Sequence, residues 1–205
     1  MRNLKFISLD APYDLWDRPE VQQLYTRMVD LKFRGFKGNY PYGILPVDAT
    51  DFVANHLLIV EEVGNQWIPL TCVKSMSLER CQLHNLAFPV ENILLGSGET
   101  ELTERVREVL RHFKNKPQAV AYESSFTIEP SIRKDRELVA KLKEMLLAAA
   151  VNNYREKGFE FTFGFGMTKF KADRYFFEWG YEDFLAPLNK YPNFNTKPLQ
   201  DGRSE

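Results

Sequence analysis

The spacing of apolar positions changes along the chain, and each spacing predicts a different secondary structure. In residues 135–157 the apolar side chains recur every three or four positions, which is the period of a helix with one buried face. Gly158 suits the position just past the end of that helix. In residues 159–165 phenylalanine alternates with Glu, Thr and Gly, which is the period of a strand. The pattern therefore predicts a long amphipathic helix that leads directly into a strand.

Earlier segments follow the same two periods. The pair Gly64-Asn65 separates two apolar runs and is typical of a tight hairpin turn, and Pro69 indicates a bulge or a sheet edge in the second strand. Residues 36–55 have no clear period and are predicted to form a loop, with a further strand around 82–88 and a linker at 96–98. The remaining predictions are strands at 4–9, 56–63, 66–74, 119–128 and 181–185, and helices at about 17–35, 100–113 and 169–179.

The order of these elements predicts the fold class. Strands alternate with helices across residues 119–185, which indicates a mixed α/β layer fold. The 205 residues suit a single domain, 1–205, because 44% of them are hydrophobic and can form a sizeable core. The polar tail from 190 to 205 is predicted to be flexible.

Charge and cysteine usage exclude several classes of function. A formal net charge of −1 gives no overall basic field, which argues against a nucleic-acid partner. Two cysteines indicate a reduced, cytoplasmic protein, and no apolar run is long enough to span a membrane. The three histidines are scattered and form no Cys/His cluster, so we expect no metal site. The oligomeric state cannot be read from these features.

The segments between residues 119 and 185 resemble the core of the GNAT superfamily of acyltransferases. In that family a strand leads into a phosphate-binding loop, a long helix, a second strand, a further helix and a closing Gly-aromatic pair. The resemblance implies a GNAT-like acyl-CoA N-acyltransferase fold, which has a central mixed, mostly antiparallel twisted sheet flanked by helices. The corresponding segments here are 119–128, 129–136, 135–157, 159–165, 169–179 and Gly180-Tyr181.

One strand motif narrows the resemblance. The stretch Tyr122-Glu123-Ser124-Ser125-Phe126-Thr127-Ile128 is similar to a motif of the acyl-homoserine lactone (autoinducer) synthases and N-acyl amino acid synthases. The stretch Leu31-Lys32-Phe33-Arg34 is similar to the end of their N-terminal helix. The resemblance implies an N-acyltransferase that moves an acyl group from acyl-CoA or an acyl carrier protein to an amine, such as an amino acid, without a metal.

The loop before the long helix carries Arg133, Lys134 and Arg136. The positive end of a helix dipole favours phosphate, and arginine adds charge-assisted hydrogen bonds. Together with the resemblance, this implies that the three side chains bind the pyrophosphate of coenzyme A. Charge runs of this kind are also ordinary solvated surface, and a carrier protein as donor would meet the same basic surface.

Glu123 is the candidate general base. A carboxyl on a buried strand is desolvated, which raises its pKa and suits a base, and the resemblance places a glutamate at this position. The alternative is a carboxylate at the strand end that is paired with Lys or Arg. Glu129 and His84 are further candidates for the base.

The same strand is implied to hold the thioester. In the superfamily it splays from its neighbour, and the matching positions for backbone contacts to the thioester oxygen and the pantetheine are Phe126, Thr127 and Ile128. Many members carry a tyrosine four residues before the closing glycine, as proton donor to the leaving thiolate. That position is Phe176 here, so the neighbouring Tyr175 is the candidate.

Two cations are candidates for the acceptor site. Lys74 follows the second hairpin strand, where the lactone synthases carry an arginine, and Arg34 ends the helix-like stretch. The resemblance implies that they bind an acceptor carboxylate. The ordinary alternative for Lys74 is an exposed surface lysine.

Two other functions stay open. A GNAT-like acyl-CoA-binding or sensing protein without turnover is favoured by the absence of glycine from residues 130–136 and by Phe176 at the usual tyrosine position. An acyl-homoserine lactone synthase would use S-adenosylmethionine as acceptor. The strand motif lacks the arginine of that branch, because Phe126 follows Ser125 directly.

Overall fold

The computed structural model describes residues 2–37, 47–97, 100–165, 172–182 and 198–199 of the 205-residue chain. These residues form strands and helices in irregular alternation. The strands are β1 (Leu4–Asp10), β2 (Asn55–Val63), β3 (Gln66–Ser77), β4 (Val120–Ile128), β5 (Phe161–Phe165) and β6 (Pro198–Leu199). The helices are α1 (Pro19–Phe36), α2 (Leu78–Leu83), α3 (Pro89–Ser97), α4 (Thr100–His112), α5 (Arg136–Lys157) and α6 (Ala172–Glu178).

The strands form an open sheet in chain order, β1-β2-β3-β4-β5-β6. The pairs β1–β2 and β2–β3 are antiparallel, whereas β5 lies parallel to both β4 and β6. The predicted mixed α/β fold, with a mostly antiparallel sheet and flanking helices, is confirmed at this level.

The chain divides into two compact units, each made of two segments. The first unit is Met1–Ser75 with Ser125–Asn153, and the second unit is Met76–Ser124 with Tyr154–Glu205. The boundary between them falls inside β3, β4 and α5, so these three elements contribute residues to both units. The single domain over 1–205 stays a prediction.

The first unit has its core between α1 and the β1–β3 meander. Pro19 starts α1, where its missing N–H leaves no hydrogen bond unmade, and the helix buries one stripe of its surface. The hairpin of β2 and β3 turns at Gly64-Asn65 as predicted, and its register shifts between Ile59 and Val60, opposite Pro69. The members of this core are Leu9, Val21, Leu24, Tyr25, Met28, Leu31, Leu58, Val60 and Cys72.

The second unit is built around phenylalanine rings on β5. Phe161 and Phe163 lie with ring centroids 4.8 Å apart in an edge-on arrangement. Phe113 packs against Phe161 with centroids at 6.2 Å, and Phe88 against Phe163 at 6.1 Å. The phenylalanine-rich strand is therefore core, the ordinary place for such side chains.

Two predicted elements are wrong. Residues 82–88 do not form a strand, because the Ser77 side chain accepts the backbone N–H of Arg80 at 3.2 Å and starts α2 directly after β3. Gly96 and Ser97, predicted as linker, end helix α3. The predicted residues 38–46, 98, 169–171 and 183–185 lie outside the described part of the chain.

Long apolar helices are absent from the described part of the chain. None of the helices there is long and apolar enough to cross a membrane.

Candidate functional site

Glu123 lies within a fully buried stretch of β4. Its side chain is 0% exposed, and Val120, Ala121 and Tyr122 before it are buried as well. In the parallel pairing of β4 with β5, Glu123 lies opposite Gly164, and the register between these strands ends at that pair. The carboxyl is therefore desolvated at the last paired position of the ladder.

Two tyrosines contact this carboxyl. The hydroxyl of Tyr181 donates a hydrogen bond to Oε2 of Glu123, and Tyr154 is a second hydrogen-bond partner of the same carboxyl. The hydroxyl oxygens of Tyr154 and Tyr181 are 3.4 Å apart. Oε1 of Glu123 is buried and has no hydrogen-bond partner within the described residues. One oxygen of the carboxyl is thus held, and the other is left for a further partner.

Two glycines place Tyr181 at the carboxyl. Gly180 has φ +86°, a conformation that favours glycine, and lets the chain close α6 with a hydrogen bond of 2.9 Å from Tyr181 N–H to the carbonyl of Phe176. A Cβ at Gly164 would lie 2.8 Å from Cε1 of Phe176 and 2.9 Å from Cε1 of Tyr181. Because Gly164 has no side chain, the Tyr181 ring can lie against β5 and reach Glu123.

The environment sets the ionisation of Glu123. Burial raises the pKa of its carboxyl, and the hydrogen bonds from Tyr154 and Tyr181 lower it in part, which leaves a pKa of about 6. Burial, with the adjacent carboxylate as a second cause, raises the pKa of Tyr154 well above its usual value. At neutral pH the site therefore holds a buried carboxylate between neutral hydroxyls, which is a group able to accept a proton.

The backbone bends just after this carboxyl. Ser125 has φ +59°, a left-handed conformation that is uncommon for a residue with a side chain. The hydroxyl of Thr127 donates to the carbonyl of Ser125 at 3.1 Å. Strained backbone of this kind concentrates at ligand-binding and active sites. Phe126 and Ile128 are half-buried and Thr127 is buried, so the bend separates Glu123 from the three positions expected to contact a thioester.

The first unit contains a second buried polar cluster, formed by Lys32, Lys74, Asp51 and His56. Lys32 is 0% exposed and pairs with Oδ1 of Asp51, whose other oxygen accepts from Lys74 at 3.0 Å. Lys74 also donates to the hydroxyl of Thr50 at 2.9 Å. Nε2 of His56 lies 2.7 Å from the backbone carbonyl of Asp51. The predicted candidate Lys74 is therefore buried and paired, and its interpretation as an exposed lysine is wrong.

A short helical turn presents Asp51 to the two lysines. Residues 49–52 form one 3-10 turn, and the carboxylate of Asp48 accepts the N–H of Thr50 at 2.8 Å. In return Oδ2 of Asp51 accepts the N–H of Asp48 at 2.9 Å, which completes a capping box. The turn fixes the Asp51 side chain, so the ion pairs form on a rigid element.

Charge pairing decides ionisation in this cluster. Burial alone would raise the pKa of Asp51, but the ammonium groups of Lys32 and Lys74 outweigh it and lower that pKa to about 2. Burial, together with the charge of Lys32, lowers the pKa of His56 to about 3, so this imidazole stays neutral at neutral pH. Two buried ammonium groups thus face one buried carboxylate and the more exposed Asp48, whose Oδ1 is 3.6 Å from Lys74 Nζ.

The loop predicted to bind phosphate is only partly available for a ligand. The guanidinium of Arg133 donates from Nε to the carbonyl of Ile128 at 3.1 Å and from a terminal nitrogen to the carbonyl of Gly35 at 2.9 Å. Lys134 and Arg136 are exposed. The carboxylate of Asp135 accepts the N–H of Leu138 at 3.0 Å, so it caps the start of α5.

The remaining candidates lie apart along the chain. Arg34 is partly exposed, pairs with Asp30 and bonds to Glu129 at 2.7 Å, and this contact outweighs partial burial and lowers the pKa of Glu129. Tyr175 is half-buried on α6, whereas Tyr181 is the aromatic hydroxyl from this region that contacts Glu123. His84 follows the last turn of α2. None of these findings tests the roles assigned from sequence, which stay predictions.

Sequence reasoning missed five residues of the two clusters. One had a signal, because Lys32 lies on the apolar stripe of α1, four positions after Met28 and seven after Tyr25. A cation at a core position needs a buried partner. The others gave no local signal: Asp51, His56, Tyr154 and Tyr181. The partners of Asp51, Tyr154 and Tyr181 are distant in sequence, and His56 contacts a backbone carbonyl in a segment without any period.

Comparison with known proteins identifies no relative of this chain. No protein-family model matches the chain, and no curated protein or solved structure gives a significant match. Among the residues that the structure describes, no group of three or more His, Cys, Asp or Glu side chains could hold a metal ion.

Proposed function

We propose that this protein is a GNAT-like N-acyltransferase that moves an acyl group from a pantetheine thioester to an amine, with Glu123 as general base. The observation that carries the proposal is the fully buried Glu123 carboxyl, whose pKa of about 6 lies close to neutral pH. A base is most effective when its pKa lies near the pH at which it works. Structural carboxylates with charged partners have lowered pKa values instead, as Asp51 does.

The reaction needs a neutral amine. The acceptor attacks as its neutral amine, and in the proposed step the Glu123 carboxylate accepts the proton that the nitrogen loses as it becomes the amide, either directly or through one water. The nitrogen attacks the thioester carbon, the C–N bond forms, and the C–S bond breaks as the tetrahedral intermediate collapses. The leaving thiolate takes a proton from water or from Tyr175, the candidate donor. Oε1 of Glu123, which has no hydrogen-bond partner within the described chain, is the atom that would receive the proton.

The backbone after Glu123 suits the donor. Ser125, with φ +59°, is a left-handed residue within β4, directly before the positions expected to contact the thioester. Fixed backbone N–H groups are the usual means of stabilising a developing oxyanion. The proposal therefore keeps Phe126, Thr127 and Ile128 as the thioester-binding positions.

The donor carrier depends on the loop before α5. Lys134 and Arg136 are exposed and can meet either the phosphates of acyl-CoA or the acidic surface of an acyl carrier protein. Arg133 contributes indirectly, because its bonds to the carbonyls of Ile128 and Gly35 fix the loop. In the proposal Lys134 and Arg136 bind the donor, and Arg133 fixes the loop that carries them.

Arg34 is the better acceptor ligand of the two predicted cations. Its side chain is 45% exposed and that of its partner Asp30 is 59% exposed, so a substrate carboxylate can exchange with Asp30. Lys74 would have to leave Asp51 and Thr50 to bind a substrate. An amino-acid-like acceptor is the class that the resemblance implies, and Arg34 is the candidate for its carboxylate.

A thiol-release assay tests the proposal. Purified protein is first screened by thermal shift against acetyl-CoA, long-chain acyl-CoAs, free CoA and S-adenosylmethionine, because a ligand of the native state raises Tm. The stabilising thioester is then incubated with amino acids, and free thiol and amide are measured. We expect turnover in the wild type and binding without turnover in Glu123→Gln. Equal turnover in that variant would exclude Glu123 as the base.

A second candidate, an acyl-thioester-binding protein without turnover, has one observation in its favour. The start of α5 is already capped by Asp135, and Arg133 is engaged by backbone carbonyls. The same assay separates the two functions, since this candidate gives a thermal shift and no thiol. A shift with S-adenosylmethionine, followed by lactone formation, would instead favour an acyl-homoserine lactone synthase.

A further inference from the structure

The partners of Glu123 are unusual for a buried carboxyl. Buried carboxylates are ordinarily paired with a cation, as Asp51 is with Lys32 and Lys74. Among the residues that the structure describes, the titratable groups that act on Glu123 are instead Tyr154, from α5, and Tyr181, from the Gly180-Tyr181 pair after α6. From β5, the residue opposite Glu123 is Gly164, which has no side chain. Both hydroxyls are neutral donors, so the carboxyl is held without being locked into an ion pair.

The two hydroxyls differ in how they reach the carboxyl. Tyr181 depends on the left-handed Gly180 and on the space that Gly164 leaves, and it donates directly to Oε2. Tyr154 is 7% exposed on α5 and lies 3.4 Å from the Tyr181 hydroxyl, as well as bonding to Glu123. Hydrogen bonds from two fixed phenols restrict rotation of the carboxyl group, and the bond from Tyr181 to Oε2 leaves Oε1 as the oxygen without a partner in the described chain.

We propose that Tyr181 and Tyr154 are positioning residues for Glu123, and that they keep its carboxyl ionised and its Oε1 aimed at the incoming proton. This inference rests on the proposed function of Glu123 as a base. A hydrogen bond to the charged form of an acid favours ionisation. Without the two hydroxyls, the buried carboxyl would keep its proton to a higher pH and could no longer act as a base near neutrality.

The phenylalanine variants separate this role from a packing role. Tyr181→Phe keeps the ring against Gly164 and removes one donor, so we expect the pKa of Glu123 to rise by about one to two pH units. Tyr154→Phe should raise it by less, since Tyr181 stays in place. In the enzyme, the acidic limb of kcat/KM would shift upward by the same amount, with the rate at high pH largely recovered and KM little changed.

The titration is measured without substrate. The protein is labelled with ¹³C at the side-chain carboxyl of glutamate, and the Glu123 signal is identified by its loss in Glu123→Gln. The signal is then followed from pH 4 to pH 9 in the wild type, Tyr181→Phe and Tyr154→Phe. Tyr13→Phe serves as control, because Tyr13 is 63% exposed and lies outside the second unit. Circular dichroism checks that each variant is folded.

The outcomes distinguish the positioning role of the two tyrosines from the proposed acyltransferase activity. An upward shift in Tyr181→Phe and none in Tyr13→Phe supports the positioning role, whether or not an amide product is ever found. If no thioester reacts but the shift is present, the acyltransferase proposal fails and the tyrosine pair stands. If Glu123 titrates at the same pH in both phenylalanine variants as in the wild type, the inference is overturned. Should Tyr181→Phe fail to fold, Tyr154→Phe alone decides by the same criterion.

Discussion

Each of the two units contains a carboxyl group that is completely buried, yet these two carboxyls behave in opposite ways. Asp51 in the first unit and Glu123 in the second are both 0% exposed. The pKa of Asp51 is about 2, because two ammonium groups outweigh burial, whereas that of Glu123 is about 6, because tyrosine hydroxyls offset burial only in part. Burial alone therefore does not decide what a buried acid does. The charge of its partners separates a fixed ion pair from a group that can exchange a proton near neutral pH.

Because the pKa shifts of Asp51 and Glu123 have opposite signs, their contributions to stability depend on pH in opposite ways. The pKa of Asp51 is lowered on folding, so its contribution is present above pH 4 and is lost as the pH falls toward 2. The pKa of His56 is also lowered on folding, because its neutral form is favoured. Its contribution to stability is therefore lost as the pH falls below about 6.5 toward 3. The pKa of Glu123 is raised, so its contribution is full below 4.5 and is lost as the pH rises through 6.

The largest effect is expected from Asp51→Asn. The substitution leaves Lys32 and Lys74 buried without their shared counter-charge, and breaking a buried ion pair costs about 3–5 kcal/mol. The free energy of unfolding is measured in urea at pH 7. The fluorescence of Trp16 and Trp67 reports on unfolding of the first unit when Trp179, in the second unit, is replaced by Phe.

Asp48→Asn is the matched control for this loss. The Asp48 side chain is 64% exposed and its oxygen is 3.6 Å from Lys74, so its electrostatic contribution should be below about 1 kcal/mol. Equal losses for the two variants would mean that Asp51 contributes no more than an exposed charge, and the contrast between the units would fail.

A smaller loss is expected from Gly164→Ala in the second unit. The added Cβ would lie within 3 Å of the rings of Phe176 and Tyr181, and overpacking of this kind costs about 1–3 kcal/mol. Displacement of Tyr181 should also raise the pKa of Glu123, which the carboxyl titration detects. Gly158→Ala is the control, since its Cβ meets nothing within 4 Å and its φ of +69° alone makes it unfavourable. If the pKa of Glu123 is unchanged in both variants, the absence of a side chain at Gly164 is not what places Tyr181.

Glu123→Gln is expected to stabilise the protein at alkaline pH. The pKa of Glu123 is about 6 against an ordinary value of 4.5, so the buried carboxylate costs about 2 kcal/mol above pH 7. Thermal and urea unfolding at pH 8 should show this gain, which should vanish below pH 4.5. Glu129→Gln should instead destabilise, because the lowered pKa of Glu129 reflects its bond to Arg34. A loss of stability in Glu123→Gln at pH 8 would contradict the raised pKa.

Long periodic segments made most of the fold predictable. Helices α4 and α5 and strands β2 and β4 lie within one or two residues of their predicted bounds, whereas β3 runs three residues further than predicted, to Ser77. The bulge opposite Pro69 also follows from one residue, because proline lacks the N–H of a ladder hydrogen bond. Helices α2 and α3 were missed because a short apolar run cannot be assigned from its period alone. The start of α2 depends on the Ser77 cap, which gives only a weak local signal.

The candidate site was predictable only in part. Burial of Glu123 followed from the apolar run around it, and the raised pKa followed from burial. Its partner Tyr181 is 58 residues away, and the contact depends on two glycines whose role appears only in three dimensions. Lys74 was assigned no buried partner because Asp51 comes from a segment without any period. Contacts between polar groups that are distant in sequence therefore cannot be predicted from local patterns.

The smallest effect on stability is expected from the exposed cations before α5. Lys134→Gln with Arg136→Gln should change the free energy of unfolding by less than about 0.5 kcal/mol, because both side chains are exposed. If they bind the phosphates of acyl-CoA, its affinity should fall about tenfold, measured by calorimetry at low and high salt. Arg133→Gln is the matched contrast: it loses the bonds to Ile128 and Gly35 and should destabilise the first unit by about 1–2 kcal/mol. Unchanged affinity in the double variant would remove the phosphate role from the loop and leave a carrier protein as the donor to test.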